Sequence, residues 1–525
     1  MNQPKGIEDV ARIIGEITTY LSETFPVCCK SDEFYYFPQV LPDICSSPGW
    51  DDFSQEKVDD AALHLSSWEK ELTEFSLPQD LCAHIDRDLW TRVVKTLKED
   101  LLWVRPHRRQ PTFHLTIAAA GIADALAWKP PGSLDILMES LPSFLTRAKR
   151  SLVEMPDIFR QMGISMTGEI LRWIVSLEIP GEGSLRALTA LEDFKAFLIG
   201  AAKVEEFRHH PDLYEVILEN HIGSPLKVKD LTSLLEEERD SNKKIMEEEM
   251  LKGEKGSPSP LDGKGHFGRN RDISIDSYRE EVESITSHLC SKGIISPEFV
   301  REHPLSIESV PRYLLPIRAA SAYSSVPMKS GNRGTFFIMP NVPGEGLAKV
   351  EGEEMRMLTA HETYPGHHLL DSYRFESIRP FRRPIEFPLY YEGWASFAES
   401  LLAHTGYFYS SRDRGLLARR RHRRAVRGLV DLKVEMGEIS LEEGASLLEE
   451  TGLEKEDALK ATSKYMLRPG YQLCYTLGLI EFIELFRKFR TLGAGGFTRA
   501  VLSEGEMGFQ QLEVLLERTK GGGKI

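Results

Sequence analysis

The stretch Thr359-Ala-His-Glu-Thr-Tyr-Pro-Gly-His-His368 constrains this chain more than any other. It sets His361, Glu362, His367 and His368 within eight residues, around a Pro-Gly pair that no regular helix carries in its interior. Hydrolytic metal sites take neutral imidazoles as ligands and a nearby carboxylate as proton acceptor. The usual spacing, His-Glu-x-x-His, puts two imidazoles four apart on one helix face. Here that fourth position is Pro365. On an unbroken helix, at about 100° per residue, His367 would lie opposite His361, and His368 would share its face about 10 Å further along the axis. Pro365 rules out that path, because its ring collides with the carbonyl four residues back, and Gly366 permits an unusual turn. The sequence therefore predicts a helix bulged or broken at Pro365-Gly366, with a later imidazole brought round to His361. A helix end with solvated imidazoles is the plain alternative.

A third ligand should be an oxygen donor, and Tyr390-Tyr-Glu-Gly-Trp-Ala-Ser-Phe-Ala-Glu399 offers two. Glu392 and Glu399 are seven apart, so they share a helix face, with Ala395 and Ala398 as good helix formers between them. Two acids on an otherwise apolar and aromatic face need partners if buried. A metal and a metal-bound imidazole would satisfy both; a surface helix with two solvated acids is the other reading.

Together, His361-Glu-x-x-Pro-Gly-His367 and, about 25 residues on, Glu392-Gly-Trp-Ala-x-Phe-x-Glu399 resemble the bacterial proteins grouped as domain-of-unknown-function family 885. Those are similar to zinc metallopeptidases of the gluzincin type, with two His and one Glu on the ion. The resemblance runs from about Ala320 to Glu517. It implies a mainly α, gluzincin-like architecture with a small β-sheet beside the zinc helix. It also implies one Zn2+ held by His361, His367 and Glu392, with Glu362 as general base, and it favours His367 over His368. Arg424-Ala-Val-Arg-Gly-Leu-Val-Asp431 resembles the family's Arg-rich helix, and Arg468-Pro-Gly-Tyr-Gln-Leu-Cys-Tyr-Thr-Leu-Gly478 its Pro-Gly segment. By the same resemblance Tyr475 would donate a hydrogen bond to the oxyanion. Glu399, on the face of Glu392, would orient a ligand from behind, and His368 is either a group behind the ligands or the second imidazole itself. The chain departs from the family pattern at Leu370, Glu435 and Thr498, so the metal core is kept while the polar surroundings change.

Eight arginines lie between Arg412 and Arg427. A solvated helix face paired with nearby acids is the first expectation. The sharper one is that Arg424 or Arg427, on one face with Asp431, reaches the cleft to hold a substrate carboxylate through its guanidinium fork. Thr335-Phe-Phe-Ile-Met339, bounded by Gly334 and Pro340, is the best strand candidate. It would accept extended substrate along a sheet edge, or serve as an ordinary core strand.

Before this region, residues 1–232 read as an N-terminal helical region. Val10, Ile13, Ile14, Ile17 and Leu21 form a helical stripe, and similar patterns recur to Phe207 between Pro and Gly punctuation. His209-His210 reads as a surface pair. Residues 233–272 carry charge runs and then a Gly-, Ser- and Pro-rich stretch, the pattern of a flexible linker or insertion; residues 273–525 form the metal-binding catalytic region. A net charge of −15 argues against nucleic acid or an anionic membrane as partner. The N-terminus lacks an apolar signal core, and six cysteines in 525 residues make no disulfide framework, so a cytoplasmic setting is expected. The functional expectation is a zinc hydrolase acting on a peptide or small amide, carboxypeptidase-like or acting on amino-acid conjugates. Two His and a carboxylate also describe non-haem iron sites, and a catalytically silent metal-binding protein is the remaining class. Oligomeric state stays open.

Overall fold

Apolar periodicity translates directly into the N-terminal helices. In Lys5–Thr24 the stripe Val10, Ile13, Ile14, Ile17 and Leu21 is buried throughout. Helices follow at Gln55–Glu74, Leu81–Glu99, Pro111–Trp128, Ser133–Ser151, Asp157–Ser176 and Glu182–Gly200. The computed structural model describes residues 5–40, 49–74, 80–128, 132–255, 274–310, 321–326, 333–339, 354–377 and 379–520. One apolar cluster extends from Val10 to Leu516, so the N-terminal helices and the region after residue 273 share a core. Buried polar links cross the same seam: Trp90 Nε1 donates to Phe381 O (2.8 Å), and Arg382 pairs with Asp86.

The charged stretch after residue 232 is a correction to the sequence reading. Helix α1 (Val228–Lys255) continues through it, and residues 256–272 of the expected linker lie outside the described residues. Leu231 and Leu235 are buried, while Glu236 pairs with Lys433 (2.7 Å) and Glu249 with Arg414 (2.9 Å). The charge runs are the outer and partner-facing sides of an amphipathic helix lying along an arginine-rich one. His209 is a second correction: it is buried, with Nδ1 2.6 Å from Glu435, whereas His210 is exposed.

Helix α2 (Ile275–Ser291) backs a three-stranded sheet of β1 (Leu305–Ser309), β2 (Ala322–Val326) and β3 (Arg333–Ile338). Its order is β1-β3-β2, with β1 parallel and β2 antiparallel to β3. The strand expected to take substrate, β3, is the central one, so both its edges are already paired. Buried Phe336 of β3 meets Tyr278 edge-on at 5.6 Å and packs with Met355 and Leu358 of helix α3 (Met355–Glu362). Helices α4 (His367–Glu376), α5 (Pro388–His404), α6 (Ser411–Glu435) and α7 (Cys474–Lys488) complete the surroundings of the site. Ser410 and Asp413 form a capping box that starts α6, satisfying amides the first turn leaves free.

Candidate metal centre

α3 stops at Glu362 because Pro365 has no amide hydrogen for a further turn. Thr363 N still reaches Thr359 O (2.9 Å); the chain then turns and restarts as α4, where Leu370 N bonds Gly366 O (3.1 Å). Gly366 is required by a close approach, since a Cβ there would sit 1.8 Å from His361 O. Trp394 of α5 donates Nε1–H to Pro365 O (2.9 Å), so the Gly-Trp-Ala segment ties α5 to the break. The turn carries the His367 ring back to His361, with centroids 4.8 Å apart and planes at 82°. His368 points elsewhere: its Nδ1 lies 3.2 Å from Tyr323 OH and its Nε2 3.1 Å from His303 O. Burial pushes its pKa down to about 4.

Glu392 is delivered by a contact between two helices. A Cβ on Gly393 would lie 2.6 Å from Gly478 Cα, so α5 and α7 touch backbone to backbone. This brings the Tyr475 ring to 6.3 Å from that of His361 and places Tyr471 so that its OH donates to Glu392 Oε1 (2.7 Å). Glu392 Oε2 then stands 3.4 Å from His361 Nε2 and 3.6 Å from His367 Nε2. All three residues are buried, and one ligand atom from each lies within 4.8 Å of the others. Burial works against ionising Glu392, but the two imidazoles outweigh it and hold its pKa well below the usual carboxylate value. Burial likewise opposes the His361 imidazolium, and Glu392 with Glu399 overcomes it, raising the pKa.

Glu392 Oε2 is nonetheless a buried acceptor with no hydrogen bond of adequate geometry, and the same is true of His367 Nδ1 on the donor side. Three lone-pair donors converging on one point, with an acceptor left unsatisfied among them, fit a small divalent cation. Two imidazoles and a carboxylate suit Zn2+, and they also suit iron.

Behind the donors stands Glu399, fully buried. It meets His361 Nδ1 (3.1 Å), Arg424 Nη2 (2.7 Å) and Arg420 Nη2 (3.0 Å) through Oε1, while its Oε2 takes Arg420 Nε and Arg424 Nη1, both at 3.1 Å. Burial would raise its pKa, yet the two guanidinium groups hold it well below the ordinary value. A carboxylate at Nδ1 selects the His361 tautomer protonated there and leaves the Nε2 lone pair facing Glu392. The inner arginines of α6 are thus buried and paired, not solvated: Arg420 and Arg424 are only 6% and 5% exposed. Arg424 is spent on Glu399, whereas Arg427 lies on Gln472 and 4.6 Å over the Tyr475 ring. Glu362 Oε2 accepts from Tyr323 N (2.8 Å), which fixes the carboxylate against β2, an edge strand among the described residues.

Sequence reasoning passed over Tyr471, which precedes Tyr475 by one helical turn and was legible by that spacing. It also passed over Tyr391, whose ring stacks on His367 at 4.1 Å. Tyr35, 5.4 Å from the Tyr471 ring, comes from the N-terminal region and carried no local signal.

A helical fold around a buried two-imidazole, one-carboxylate cluster defines the class: a protein with a candidate mononuclear metal centre. The chain belongs to the family of bacterial proteins of unknown function DUF885, whose pattern matches residues 182–516. No curated protein sequence matches it. Among solved structures it is similar to a "putative lipoprotein of unknown function" from Shewanella oneidensis, with 16% identity and a TM-score of 0.74 over 97% of this chain and 99% of that one. A "putative lipoprotein" from Colwellia psychrerythraea gives 15% identity and a TM-score of 0.78 over 99% and 100%. At such identities the likeness is one of fold. A carboxypeptidase from Pyrococcus furiosus aligns over 90% of this chain and 100% of its own at 13% identity, with a TM-score of 0.31, too low to carry an argument. No helix among the described residues is long and apolar enough to cross a membrane.

Proposed function

We propose that this protein is a metal-dependent hydrolase that cleaves an amide bond in a peptide or small amide, with one Zn2+ held by His361, His367 and Glu392. The observation that carries the reading is the convergence of His361 Nε2, His367 Nε2 and Glu392 Oε2, with the last left without a hydrogen bond. A bound zinc ion would acidify a water and polarise the scissile carbonyl. Glu362, next to His361 and fixed by the Tyr323 amide, takes the proton from the attacking water and passes it to the leaving nitrogen. Tyr475, a neutral phenol whose pKa burial raises and nearby Glu392 raises further, donates a hydrogen bond to the developing oxyanion. Glu399 and Arg424 orient His361 from behind. Extended substrate would lie along β2, the strand whose Tyr323 amide holds Glu362, and not along β3, which is paired on both sides. A cytoplasmic setting is part of the proposal, supported by Cys28, Cys82, Cys290 and Cys474, which form no disulfide among the described residues.

The test is metal content of the purified protein by mass spectrometry, alongside a peptide-library digest with and without chelator. About one zinc per chain, cleavage abolished by chelator and restored by zinc, and loss of both metal and cleavage in Glu392→Ala are expected. Cleavage indifferent to chelator, or none with zinc bound, would sink the reading. Iron with oxygen consumption would replace it with redox chemistry.

A further inference from the structure

The arginines on the inner side of α6 differ in one respect. Arg419, Arg420 and Arg423 end on Glu354, and Arg420 and Arg424 on Glu399. Arg421 and Arg427 end on no carboxylate among the described residues: Arg421 Nη2 donates to Ser400 Oγ (2.6 Å), and Arg427, one turn past Arg423, is the one of the two that lies over the Tyr475 ring. Its Nε and Nη2 both donate to the side-chain oxygen of Gln472, the first at 2.9 Å. Its guanidinium lies 4.6 Å over the Tyr475 ring and 5.7 Å over that of Tyr465. Tyr475 is the ring beside His361, so one aromatic side chain separates this charge from the candidate metal ligands.

The neutral partner is built in firmly. Asp431 accepts from Gly470 N (2.9 Å) and Gln472 N (3.0 Å), which pins the turn that presents Gln472. Gln472 engages Nε and Nη2 on one side of the guanidinium, so a carboxylate would be received at Nη1 and the second Nη2 hydrogen, as two parallel hydrogen bonds. Arg427 is also partly exposed, unlike Arg420 and Arg424. Glu354 and Glu399 neutralise Arg419, Arg420, Arg423 and Arg424, whereas Arg427 has an amide for a partner, which leaves a charge in reserve beside the Tyr475 ring.

We propose that Arg427 receives a free carboxylate of the substrate. The substrates would then be C-terminal residues of peptides, or N-acyl amino acids, with the acid-bearing residue adjoining the scissile amide. This rests on the hydrolase reading for the bond that breaks, but the carboxylate site itself can be tested without the reaction. The competing account is that Arg427 only clamps Tyr465 and Tyr475 together.

Calorimetry on the full-length, metal-free protein separates the two, using a panel of N-acetyl amino acids and the matching C-terminal amides. At least one acid should bind about 10- to 100-fold more tightly than its amide, as charge-assisted pairing predicts. In Arg427→Gln that acid should fall to the affinity of its amide, while the amide is unaffected. Gln472→Glu keeps the arginine and its stacking but supplies the missing negative charge, so it should cause the same loss, and it carries the test if Arg427→Gln does not fold. Acids and amides that bind the wild type equally, or a preference that survives either folded variant, would overturn the proposal. A carboxylate preference in a protein that hydrolyses nothing when loaded with zinc would leave this site standing and remove only the hydrolase.

Discussion

Glu392 and Glu399 sit two turns apart on one face of α5, both buried and both held well below the ordinary carboxylate pKa against the pull of burial. Their surroundings differ in kind. Glu399 faces two guanidinium groups, which stay charged at any pH a protein meets, and each of its oxygens has hydrogen bonds. Glu392 faces two imidazoles, which can be neutral, and one of its oxygens has no hydrogen bond. A carboxylate closed in by permanent cations is finished as a structural element. One closed in by imidazoles retains room for a cation, and that difference separates scaffold from site on a single helix.

The comparison breaks or holds on paired truncations. Glu399→Ala leaves Arg420 and Arg424 buried without one of their acids and should destabilise the metal-free protein by about 3–5 kcal/mol in urea unfolding. Glu392→Ala removes a group that is not fully satisfied without a cation. It should cost much less stability while abolishing zinc retention through gel filtration. Equal destabilisation by the two would show that Glu392 is scaffold as well.

A third buried carboxylate sharpens the contrast by having no cationic partner among the described residues. Burial alone raises the Asp100 pKa from 3.8 to about 7. Because the folded value is the higher one, the native state holds the proton more tightly. The stability this gives is fully present below pH 3.8 and is lost as pH rises towards 7, at about 1.4 kcal/mol per unit. Asp100→Asn should remove that slope, so the variant gains on wild type between pH 4 and 7 and keeps a constant advantage above. Parallel pH profiles of unfolding midpoints would show that Asp100 is not the protonated acid described.

The position of Glu392 depends on the contact between Gly393 and Gly478 more than on its own helix. A Cβ on Gly478 would sit 2.1 Å from Leu389 O. Gly478→Ala should therefore force α5 and α7 apart at a cost of about 1–3 kcal/mol and weaken zinc binding with it. Unchanged zinc affinity in a destabilised Gly478→Ala protein would show that the donor cluster does not need this contact.

What could be read from the sequence follows the range of each interaction. The helix break was legible because Pro365 acts on its own turn, and the N-terminal helices because their stripes repeat every three or four residues. The central position of β3 was not legible, since it depends on β1 and β2 arriving from either side. Residues 233–255 looked like linker because runs of Glu and Lys resemble solvated chain. Only Lys433 and Arg414 of α6, 197 and 165 residues from their partners Glu236 and Glu249, turn those charges into a packed face. The same helix misled in the opposite direction, its arginines reading as surface until Glu354 and Glu399 are placed beneath them. At the site, the imidazoles and acids lay in two short stretches and Tyr471 stood four residues before Tyr475, whereas Tyr35 arrives only through tertiary packing.

Tyr471 gives the smallest and most local test of how Glu392 is poised. Its hydroxyl donates to Oε1 at 2.7 Å, which turns Oε2 towards the two imidazoles. Tyr471→Phe keeps the ring against Tyr35 and removes only that hydrogen bond. The carboxylate then gains freedom to rotate, and groups that orient a ligand in this way typically account for a 10- to 100-fold change in metal affinity. Because the Tyr471 phenol is a single neutral donor, the lower end, about tenfold, is expected in competition with a chromogenic chelator, with the unfolding midpoint nearly unchanged. Zinc affinity equal to wild type would mean that the imidazoles alone fix Glu392, and the contrast with Glu399 would then rest on charge and not on hydrogen bonding.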